Sequence, residues 1–402
     1  MSTRGPLVEG NTCQLQSRVN ALRRTDNWTN WFYLGREYLF LLCVATGAIC
    51  FYQNRADWGI SWPWLFPVTA LAILLIGICQ HRLITLGHEA SHYLLFRNRL
   101  LNELASDWLC MFPILSVTHN YRLQHLAHHQ FVNDPERDPD LQFMEASGQR
   151  CRLPLPVGRF IWECILRPLC WLPGLARYMI TRARHTSIGG GPGPYEVQGK
   201  RSLLLVRIGG LYLLSLVAAS QLLPWLANRW LLVLVPLGLW LFAMTFFGLA
   251  PERLYPHTAV KPVISPRGWT IMRLTYLSVL FATLGWLTYL TDTNWGLYYL
   301  VLWVLPLWTV FAFFMVLREG LQHGGTNRSR FTSSRVFFTN GLVRFAALPL
   351  GMAYHLPHHL YQFVPHYRLH LLHALLMETD AYRQQAPVLG IQGKRSLKNI
   401  VG

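Results

Sequence analysis

The sequence predicts an all-α, polytopic integral membrane protein with about six transmembrane helices and a histidine-rich cap on the cytoplasmic side. Of the 402 residues, 52% are hydrophobic and only 14% are charged, whereas soluble proteins carry about 25% charged residues. Six long apolar segments alternate with polar connections, and three histidine clusters lie outside those segments. These observations together predict a membrane bundle that gathers histidines at one surface.

The apolar segments are the predicted spans, because a helix needs about 20 residues to cross the hydrocarbon core of a bilayer. They cover residues 38–52, 62–80, 203–226, 230–250, 274–290 and 297–317. The first reaches full length only if Trp31, Phe32 and Tyr33 extend it. Arg36 and Glu37 then lie near the interface, where long side chains reach back to water.

Basic residues set the predicted orientation. With the N-terminus in the cytoplasm, the cytoplasmic parts are 81–202, 251–273 and 318–402, and the outer connections contain two Arg and no Lys. This asymmetry follows the positive-inside rule and also explains the net charge of +17 without a nucleic-acid partner. All three histidine clusters then face the cytoplasm. The first 30 residues contain no apolar stretch, so we expect no cleavable signal peptide.

The rest of the chain divides into a cytoplasmic segment at 1–30, a membrane domain at 31–384 and a tail at 385–402. Residues 104–118 and 160–180 are apolar but broken by charge or proline, which predicts interfacial or re-entrant helices. Residues 187–200 form a Gly/Pro-rich linker. We expect the ends, 1–26 and 385–402, to be loosely ordered. The eight cysteines contain no C-x-x-C and are predicted to be unpaired, buried small residues.

The histidine clusters have the spacing of metal ligands. The motif "GHEASH" places His88 and His92 four residues apart, on one face of a helix. The motifs "HLAHH" and "HLPHH" repeat one pattern. They contain His125, His128 and His129, and His355, His358 and His359. In each motif the last two rings point to different sides, which suits two ions. With His323 the set has nine histidines, or four to five for each ion.

The residues alone leave the metal open, because imidazole suits zinc, copper, iron and nickel. A nitrogen-rich pair of sites without thiolates is typical of iron used with dioxygen. "HEASH" also matches the H-E-x-x-H motif of zinc peptidases, with Glu89 as general base. That alternative leaves the other two motifs unexplained. A metal transporter is less favoured, because the histidines follow the ends of spans rather than line them.

The three motifs resemble the histidine boxes of the membrane fatty acid desaturase superfamily, which also contains alkane, carotenoid and acyl hydroxylases. The similarity runs from about residue 81 to residue 376, and the stretch "LYQFVPHYRLHLLHALL" after the third box is similar to acyl-lipid desaturases. The resemblance implies two non-haem iron ions with dioxygen as co-substrate. The implied ligands are His88, His92, His125, His128, His129, His323, His355, His358 and His359.

The same resemblance implies the function, an oxidation of an unactivated C–H bond in a lipid. Desaturation of a fatty acyl chain is favoured, and hydroxylation of an alkane, terpenoid or acyl substrate is the alternative. No haem, iron–sulfur or flavin motif occurs, so electrons are expected from a ferredoxin, a rubredoxin or a b-type cytochrome with its reductase. The basic residues expected to dock such a carrier are Arg82, Arg97, Arg99, Arg182, Arg184, Lys200 and Arg201. The expected location is a bacterial inner membrane or the endoplasmic reticulum.

Four further residues are candidates for contacts with the metal ligands or the metals. Glu89, Asp138 and His373 lie close to the boxes in sequence, and Glu319 lies one turn before His323. Metal-bound imidazoles usually donate their second N–H to a carboxylate or carbonyl. Asp107, Asp134, Glu136 and Asp140 are further candidates. Asp134, Glu136 and Asp140, like Asp138, lie in what reads as a solvated turn. Pro357 predicts that the third-box helix begins at Leu356 or Pro357, with His355 at its entrance.

Overall fold

The protein is almost entirely helical. The computed structural model describes residues 9–189, 193–195, 203–226 and 228–390. The α-helices are α1 Glu9–Leu22, α2 Thr29–Asn54, α3 Leu65–Ser91, α4 Arg99–Ser106, α5 Thr118–Phe131, α6 Pro139–Ala146, α7 Val157–Phe160, α8 Arg167–Cys170, α9 Leu172–Thr186, α10 Leu204–Leu222, α11 Leu231–Leu249, α12 Pro266–Thr291, α13 Trp295–Tyr299, α14 Ala312–His323, α15 Gly341–Ala346, α16 His355–Leu360, α17 Leu369–Leu376 and α18 Asp380–Gln385.

Short irregular helices join or continue these elements. The π-helical turns are Asp107–Met111, Ile161–Leu166, Leu300–Val304 and Leu307–Phe311, and the 3₁₀ turns are Trp62–Trp64, Phe112–Ile114, Leu223–Trp225, Glu252–Leu254 and His366–Arg368. Two short strands, β1 Val336–Phe338 and β2 Val388–Gly390, pair in parallel, with Val336 opposite Val388. In the described part of the chain the sheet is thus a minor element.

Six of the described helical segments are long and apolar enough to cross a membrane. They are Thr29–Asn54, Trp62–Ser91, Leu204–Trp225, Leu231–Leu249, Pro266–Thr291 and Trp295–His323. Large apolar side chains on them point outward; Leu39, Leu214 and Phe242 are 62%, 66% and 58% exposed. Such a surface is unfavourable in water and favourable in hydrocarbon. The predicted helical, multi-pass membrane protein with about six spans is confirmed.

Two of these spans are longer than a membrane requires. Trp62–Ser91 has 30 residues and Trp295–His323 has 29. At a rise of about 1.5 Å per residue each is ~44 Å long, against a hydrocarbon core of ~30 Å. With six spans they are the second and the sixth, which places their C-terminal ends on the same side. Within α3, every residue from Ile76 to Ser91 is buried, so the extra length lies inside the protein.

The segment at 104–118 is bent, as its proline and charge predict. Arg99–Ile114 and Thr118–Phe131 are apolar enough together to form a broken span or a re-entrant loop, and they meet at 88°. Counting this pair as one span would raise the number of spans to seven. The segment at 160–180 is interrupted at Trp171, between α8 and α9, and exposes Trp162 and Trp171. The membrane position of both segments stays a prediction.

Glu37 corrects the prediction for the first span. Its side chain is buried rather than interfacial, with 1% of its surface exposed. Arg82 on α3 donates two hydrogen bonds to it, at 2.6 and 2.7 Å, and Arg36 donates two more. A carboxylate can be buried when an opposite charge and hydrogen bonds compensate for lost hydration. The sequence pattern of α2 alone did not reveal the partner on α3.

The expectation of loosely ordered ends is wrong for the described parts of both. Residues Glu9–Leu22 form α1, and its Val19 is fully buried in a cluster with Leu369 and Leu372 of α17. Arg18 donates a hydrogen bond of 2.8 Å to Glu378 across this contact. At the other end, Val388–Gly390 pairs with β1. Residues 1–8 and 391–402, and the linker residues 190–192 and 196–200, lie outside the described residues.

The cysteine prediction is also partly wrong. Cys151 and Cys164 form a disulfide, although no sequence motif pairs them. Of the cysteines predicted to be buried, Cys79 and Cys110 are buried. Cys13, Cys43, Cys50 and Cys170 are exposed instead. Cys43 and Cys50 lie on α2, whose outward face meets lipid rather than protein, so an apolar sequence context did not imply burial in the protein.

Candidate metal centre

The structure brings all nine predicted histidines together, in two groups. The first histidine group is His88, His92, His125, His129 and His358. The second histidine group is His128, His323, His355 and His359. Within each group, one ring nitrogen of every member lies within 4.8 Å of those of the others. Five and four imidazoles therefore converge on two separate points.

The two long spans and two shorter helices position these side chains. His88 lies in the last turn of α3, which ends at Ser91, and His92 is the residue that caps its C-terminus. α14 ends with His323. The second and third boxes lie on α5 and α16. α16 begins at His355, one residue before the predicted start, and accommodates Pro357 in its first turn, where the missing N–H has no helical partner to lose.

The H-x-x-H-H pattern supplies both groups from one helix. In the second box, His125 and His129 belong to the first group and His128 to the second. In the third box, His355 and His359 belong to the second group and His358 to the first. Residues four apart share a helix face, whereas adjacent residues point about 100° apart. Each box thus gives two rings to one group and one ring to the other, and the two boxes do so in opposite ways.

Distances between the nitrogens fit shared ligation. His129 Nε2 lies 2.9 Å from His125 Nε2 and 3.1 Å from His358 Nε2. His355 Nε2 lies 2.9 Å from His323 Nε2 and 3.1 Å from His359 Nε2. Two nitrogens bound at right angles to one ion at ~2.1 Å are ~3.0 Å apart. Hydrogen bonds alone cannot satisfy such triplets, because a neutral imidazole has one donor and one acceptor.

Unpartnered nitrogens give the same indication. Both ring nitrogens of His88 and of His92 are buried without a hydrogen-bond partner in the described part of the chain. A buried polar atom left in that state costs roughly 1–3 kcal/mol. A metal ion would remove the cost at the nitrogens that face it. The residues present therefore fit a pair of metal ions, and the donor set of imidazoles without thiolate suits iron, zinc, copper or nickel.

Burial keeps at least three of these rings in the ligating form. Burial, and the neighbouring His359 ring, hold the pKa of His355 well below its ordinary value. Burial, together with the charge of His128, lowers the pKa of His358 to about 3. Burial also holds the pKa of His92 well below its ordinary value. A metal-binding imidazole must be unprotonated at the ligating nitrogen, and these rings are neutral at neutral pH.

Outer contacts orient several rings. Asp138 Oδ1 lies 3.0 Å from His128 Nδ1, and the Ser333 carbonyl oxygen lies 2.9 Å from His323 Nδ1. Glu89 Oε1 lies 3.4 Å from His88 Nδ1, and Glu89 Oε2 accepts a 2.8 Å hydrogen bond from the backbone N–H of His366. The contacts of Asp138 and Ser333 fix the tautomer and the ring orientation of a ligand, whereas Glu89 lies beside His88 without a hydrogen bond to it. Ser333 was missed, because a backbone carbonyl has no sequence signature.

His373 corrects the expectation of a contact near the metals. Its Nδ1 lies 2.9 Å from the Tyr382 hydroxyl, and its ring packs against Phe338 and Tyr354. It belongs to neither histidine group. His373 lies on the buried face of α17, and α17 packs against α16. The residue therefore contributes to the packing that supports the third box.

A polar chamber adjoins the two histidine groups. We define it by Tyr121, Asp140, Tyr178, Arg182, Arg318 and Glu319, and its walls also include His88, His125, His128 and His355. Glu319 and Asp140 each place an oxygen within 4.8 Å of the other and of His128. Glu319 was predicted at this position, and Asp140 only weakly. Arg318 was missed, although a charged residue within a span is itself a functional signal.

The expected docking residues divide on exposure. Arg82 and Arg182 are buried, so neither can contact a partner protein. Arg97, Arg99 and Arg184 are exposed. Lys200 and Arg201 lie outside the described residues. Two of the seven residues predicted from charge alone to form a docking surface are therefore buried in the protein.

The chain is similar to known desaturases. The fatty acid desaturase family model matches residues 62–264 and 239–389, which together include every histidine of both groups. Dihydrorhizobitoxine desaturase from Bradyrhizobium elkanii is 33% identical over 126 residues, or 31% of this chain. The chain spans about a third of that relative's length, 32%. Most of the chain is covered by the family match, and the chain is a multi-pass membrane protein of the fatty acid desaturase family.

Proposed function

We propose that the protein is an iron-dependent oxidase that desaturates a lipid substrate, with the nine histidines as ligands of two iron ions. The division of the histidines into groups of five and four carries this proposal. The desaturase family and the desaturase relative support the reaction type. When bound, a two-iron centre supplies the dioxygen chemistry that removes hydrogen from an unactivated C–H bond.

In the proposed reaction, dioxygen oxidises both the substrate and the electron carrier. A –CH2–CH2– unit, one dioxygen, two electrons and two protons give –CH=CH– and two waters. The two electrons come from an external one-electron carrier, a ferredoxin, rubredoxin or b-type cytochrome. If the same inputs give an alcohol and one water, the protein is a hydroxylase.

The chain's own residues hold the reacting groups and exclude water. Burial of the rings, with His88 and His128 at 2% and 1% exposure, keeps solvent from the candidate centre. Asp138 and the Ser333 carbonyl orient two of the rings. The ends of both long spans carry ligands, so the centre lies just beyond the membrane surface, where a substrate can be reached from the bilayer. We place this surface in the cytoplasm, from the distribution of basic residues.

The zinc peptidase reading has less support. Glu89, which would act as the general base, has one oxygen bound by the His366 backbone N–H and the other beside His88. It is fully buried. His88 and His92 also share their group with three histidines outside the H-E-x-x-H motif.

Metal analysis and lipid analysis test the proposal together. We expect the protein purified from iron-replete cells to contain about two iron per chain, and lipids of the expressing host to gain double bonds only when oxygen is present. Two zinc with no iron after purification would refute the iron centre. Hydroxylated lipids without new double bonds would replace desaturation by hydroxylation.

A further inference from the structure

A cavity of about 220 Å3 lies between α10 and α12, and we call it the α10–α12 cavity. The apolar part of its wall includes Leu205, Leu213 and Leu277, and the polar part includes Asn120 and Arg273. Its volume exceeds the ~150 Å3 that holds a benzene ring and is below the roughly 300–1,000 Å3 that encloses a drug-sized ligand. The cavity therefore has room for part of an amphiphile whose remainder lies outside it.

The α10–α12 cavity lies where three spans meet the polar loops. It is walled by the N-terminal halves of α10 and α12 and by Phe247, near the C-terminus of α11. Arg273 is the eighth residue of the span Pro266–Thr291, and Leu277 lies one turn deeper. An ionisable side chain within a span is rare and marks a functional site. A long-chain ligand can therefore hold its charged group at Arg273 and extend its chain into the bilayer.

The guanidinium of Arg273 is only partly engaged by the protein. One terminal nitrogen donates to the Ser187 carbonyl oxygen at 2.7 Å and to the Leu115 carbonyl oxygen at 3.5 Å. Its Nε and its other terminal nitrogen, which share one edge, make no hydrogen bond to the described residues. Asp107 is the acid whose charge acts on Arg273, but no ion pair joins the two, and Asp107 Oδ1 accepts the Thr118 N–H. A free guanidinium edge suits the two oxygens of a phosphate or carboxylate.

A second polar group of the cavity wall lacks a partner. Asn120 is 4% exposed, and its Oδ1 is buried without a hydrogen bond to any described residue. Asn120 lies against Gly189, where an added Cβ would be 2.8 Å from its amide atoms. Gly189 follows Ser187 by two residues, so Asn120 and Arg273 flank the same short stretch of chain. A buried acceptor without a partner is unfavourable, and a hydroxyl donor on a ligand would remove that cost.

Two adjacent glycines leave room on α10. Gly209 and Gly210 both line the cavity, although glycine within a helix is unfavourable relative to alanine. An added Cβ would meet no atom within 4 Å at Gly210 and only Phe247, at 3.9 Å, at Gly209. Close packing of a neighbouring helix therefore does not require these glycines. Their lack of side chains widens the cavity and opens it to the outside at the exposed Gly210.

We propose that the α10–α12 cavity binds an anionic phospholipid whose head group carries a hydroxyl, as in phosphatidylglycerol. The phosphate binds the free edge of Arg273, the hydroxyl donates to Asn120 Oδ1, and one acyl chain runs past Gly210 along Leu213 and Leu277. A fatty acid fits less well, because a carboxylate has no donor for Asn120. An ammonium head group also fits less well, because a neutral amide leaves its buried charge uncompensated.

This lipid site is separate from the candidate metal centre. None of the nine histidines lines the cavity. Asn120 lies on α5, the helix that carries the second histidine box, whereas Arg273 lies on α12. A lipid held by both residues joins the bundle of α10 and α12 to the helix of the second box. It therefore stabilises the fold rather than serving as the substrate, and its binding depends neither on the metal ions nor on the reaction.

Lipid titrations test the head group. The full chain, purified in detergent and stripped of lipid, is titrated with phosphatidylglycerol, phosphatidylmethanol, phosphatidylethanolamine and oleate, and bound lipid is measured by native mass spectrometry. Phosphatidylmethanol keeps the anionic phosphodiester but lacks the hydroxyls, so we expect it to bind about threefold or more weakly than phosphatidylglycerol. Phosphatidylethanolamine or oleate binding as tightly as phosphatidylglycerol would overturn the proposal.

Two pairs of variants locate the lipid. Gly210→Leu fills the cavity and should weaken phosphatidylglycerol binding about tenfold or more, whereas Gly238→Leu, exposed on α11 outside the cavity, should not. Arg273→Gln should weaken phosphatidylglycerol and phosphatidylmethanol alike, about tenfold or more. Arg253→Gln removes an exposed charge outside the cavity and is its control. Equal phosphatidylglycerol affinity of Gly210→Leu and Gly238→Leu would place the lipid elsewhere and contradict the proposal.

Asn120→Ala tests the hydroxyl contact. Phosphatidylglycerol affinity should fall to that of phosphatidylmethanol, whose own affinity should not change, and a preference that persists would refute this contact. Thermal unfolding provides a second readout, because a ligand that binds only the folded state raises the midpoint. Added phosphatidylglycerol should raise the midpoint of the unmodified protein and of Gly238→Leu but not that of Gly210→Leu. These variants keep the proposal testable even where Arg273→Gln does not fold, and equal midpoint shifts in all three proteins would overturn it.

Discussion

Asp138 Oδ1 lies 3.0 Å from His128 Nδ1, and the same side chain accepts the Asp140 N–H that opens α6. One carboxylate therefore orients a ring of the second histidine group and caps the next helix. Its other oxygen accepts a 2.8 Å hydrogen bond from the Asn133 backbone N–H. The loop between α5 and α6 is thus built around a contact that reaches the candidate metal centre.

Replacing Asp138 by Asn should lower metal affinity without unfolding the loop. Asn retains the helix cap but removes the charge beside His128, and loss of such a contact typically reduces metal affinity or activity about 10- to 100-fold. Iron content after dialysis against a chelator measures the effect. Glu136→Gln, in the same loop but exposed, is the control. Equal iron retention by both variants would remove Asp138 from this role.

His355→Ala should remove iron while leaving the membrane bundle intact. His355 Nε2 lies within 3.1 Å of the corresponding nitrogens of His323 and His359, so its loss opens the second group. We expect bound iron to fall by at least one ion per chain and oxidation to be abolished, with unchanged membrane insertion. His370→Ala, exposed on α17, should retain full iron content. Normal turnover by His355→Ala would exclude the third box from the site.

Glu103→Gln should destabilise the fold. Arg122 on α5 donates to Glu103 on α4 and to the Ala90 and Ser91 carbonyls at the end of α3. Removing one member of a buried pair typically costs about 3–5 kcal/mol. Thermal unfolding in detergent micelles should show a clearly lower midpoint. Glu378→Gln, which breaks an exposed pair with Arg18, should leave the midpoint unchanged, and equal midpoints for both variants would refute a stabilising pair.

Cysteine labelling checks the orientation. The background replaces the exposed cysteines Cys13, Cys43, Cys50 and Cys170 by Ser. Asp57→Cys lies in the first outer connection and Ser329→Cys near the second histidine group, and both positions are exposed. In intact cells a membrane-impermeant maleimide should label position 57 only, and cell lysis should expose position 329. The reverse pattern would place the histidine groups outside the cytoplasm.

The sequence predicted the spans and eight of the nine histidines because both rest on local patterns, whereas His323 was predicted from the resemblance to the family. About 20 apolar residues are required wherever a helix crosses a bilayer, and ligands on a helix recur at three and four residues. Both patterns can be recognised without knowledge of tertiary contacts. They also predicted two ions, since adjacent histidines on a helix cannot face one point.

What the sequence did not reveal depends on partners far along the chain. Glu37 is buried because Arg82 faces it, and Arg182 is buried because α9 packs beside α5 and α14. The hydrogen bond from the His366 backbone to Glu89 joins residues 277 positions apart. Charge alone placed both arginines on the surface, as it would for most arginines, so the polar chamber became visible only after folding.

The opposite assignment of the second and third boxes has a consequence for assembly. Each box gives two rings to one histidine group and one ring to the other, although the boxes lie about 230 residues apart in the chain. If two ions bind as proposed, the first to bind either group holds α5 and α16 together and so aligns the remaining ligands of the other group. We therefore expect the uptake of the two ions to be cooperative, with few chains that hold a single ion during loading.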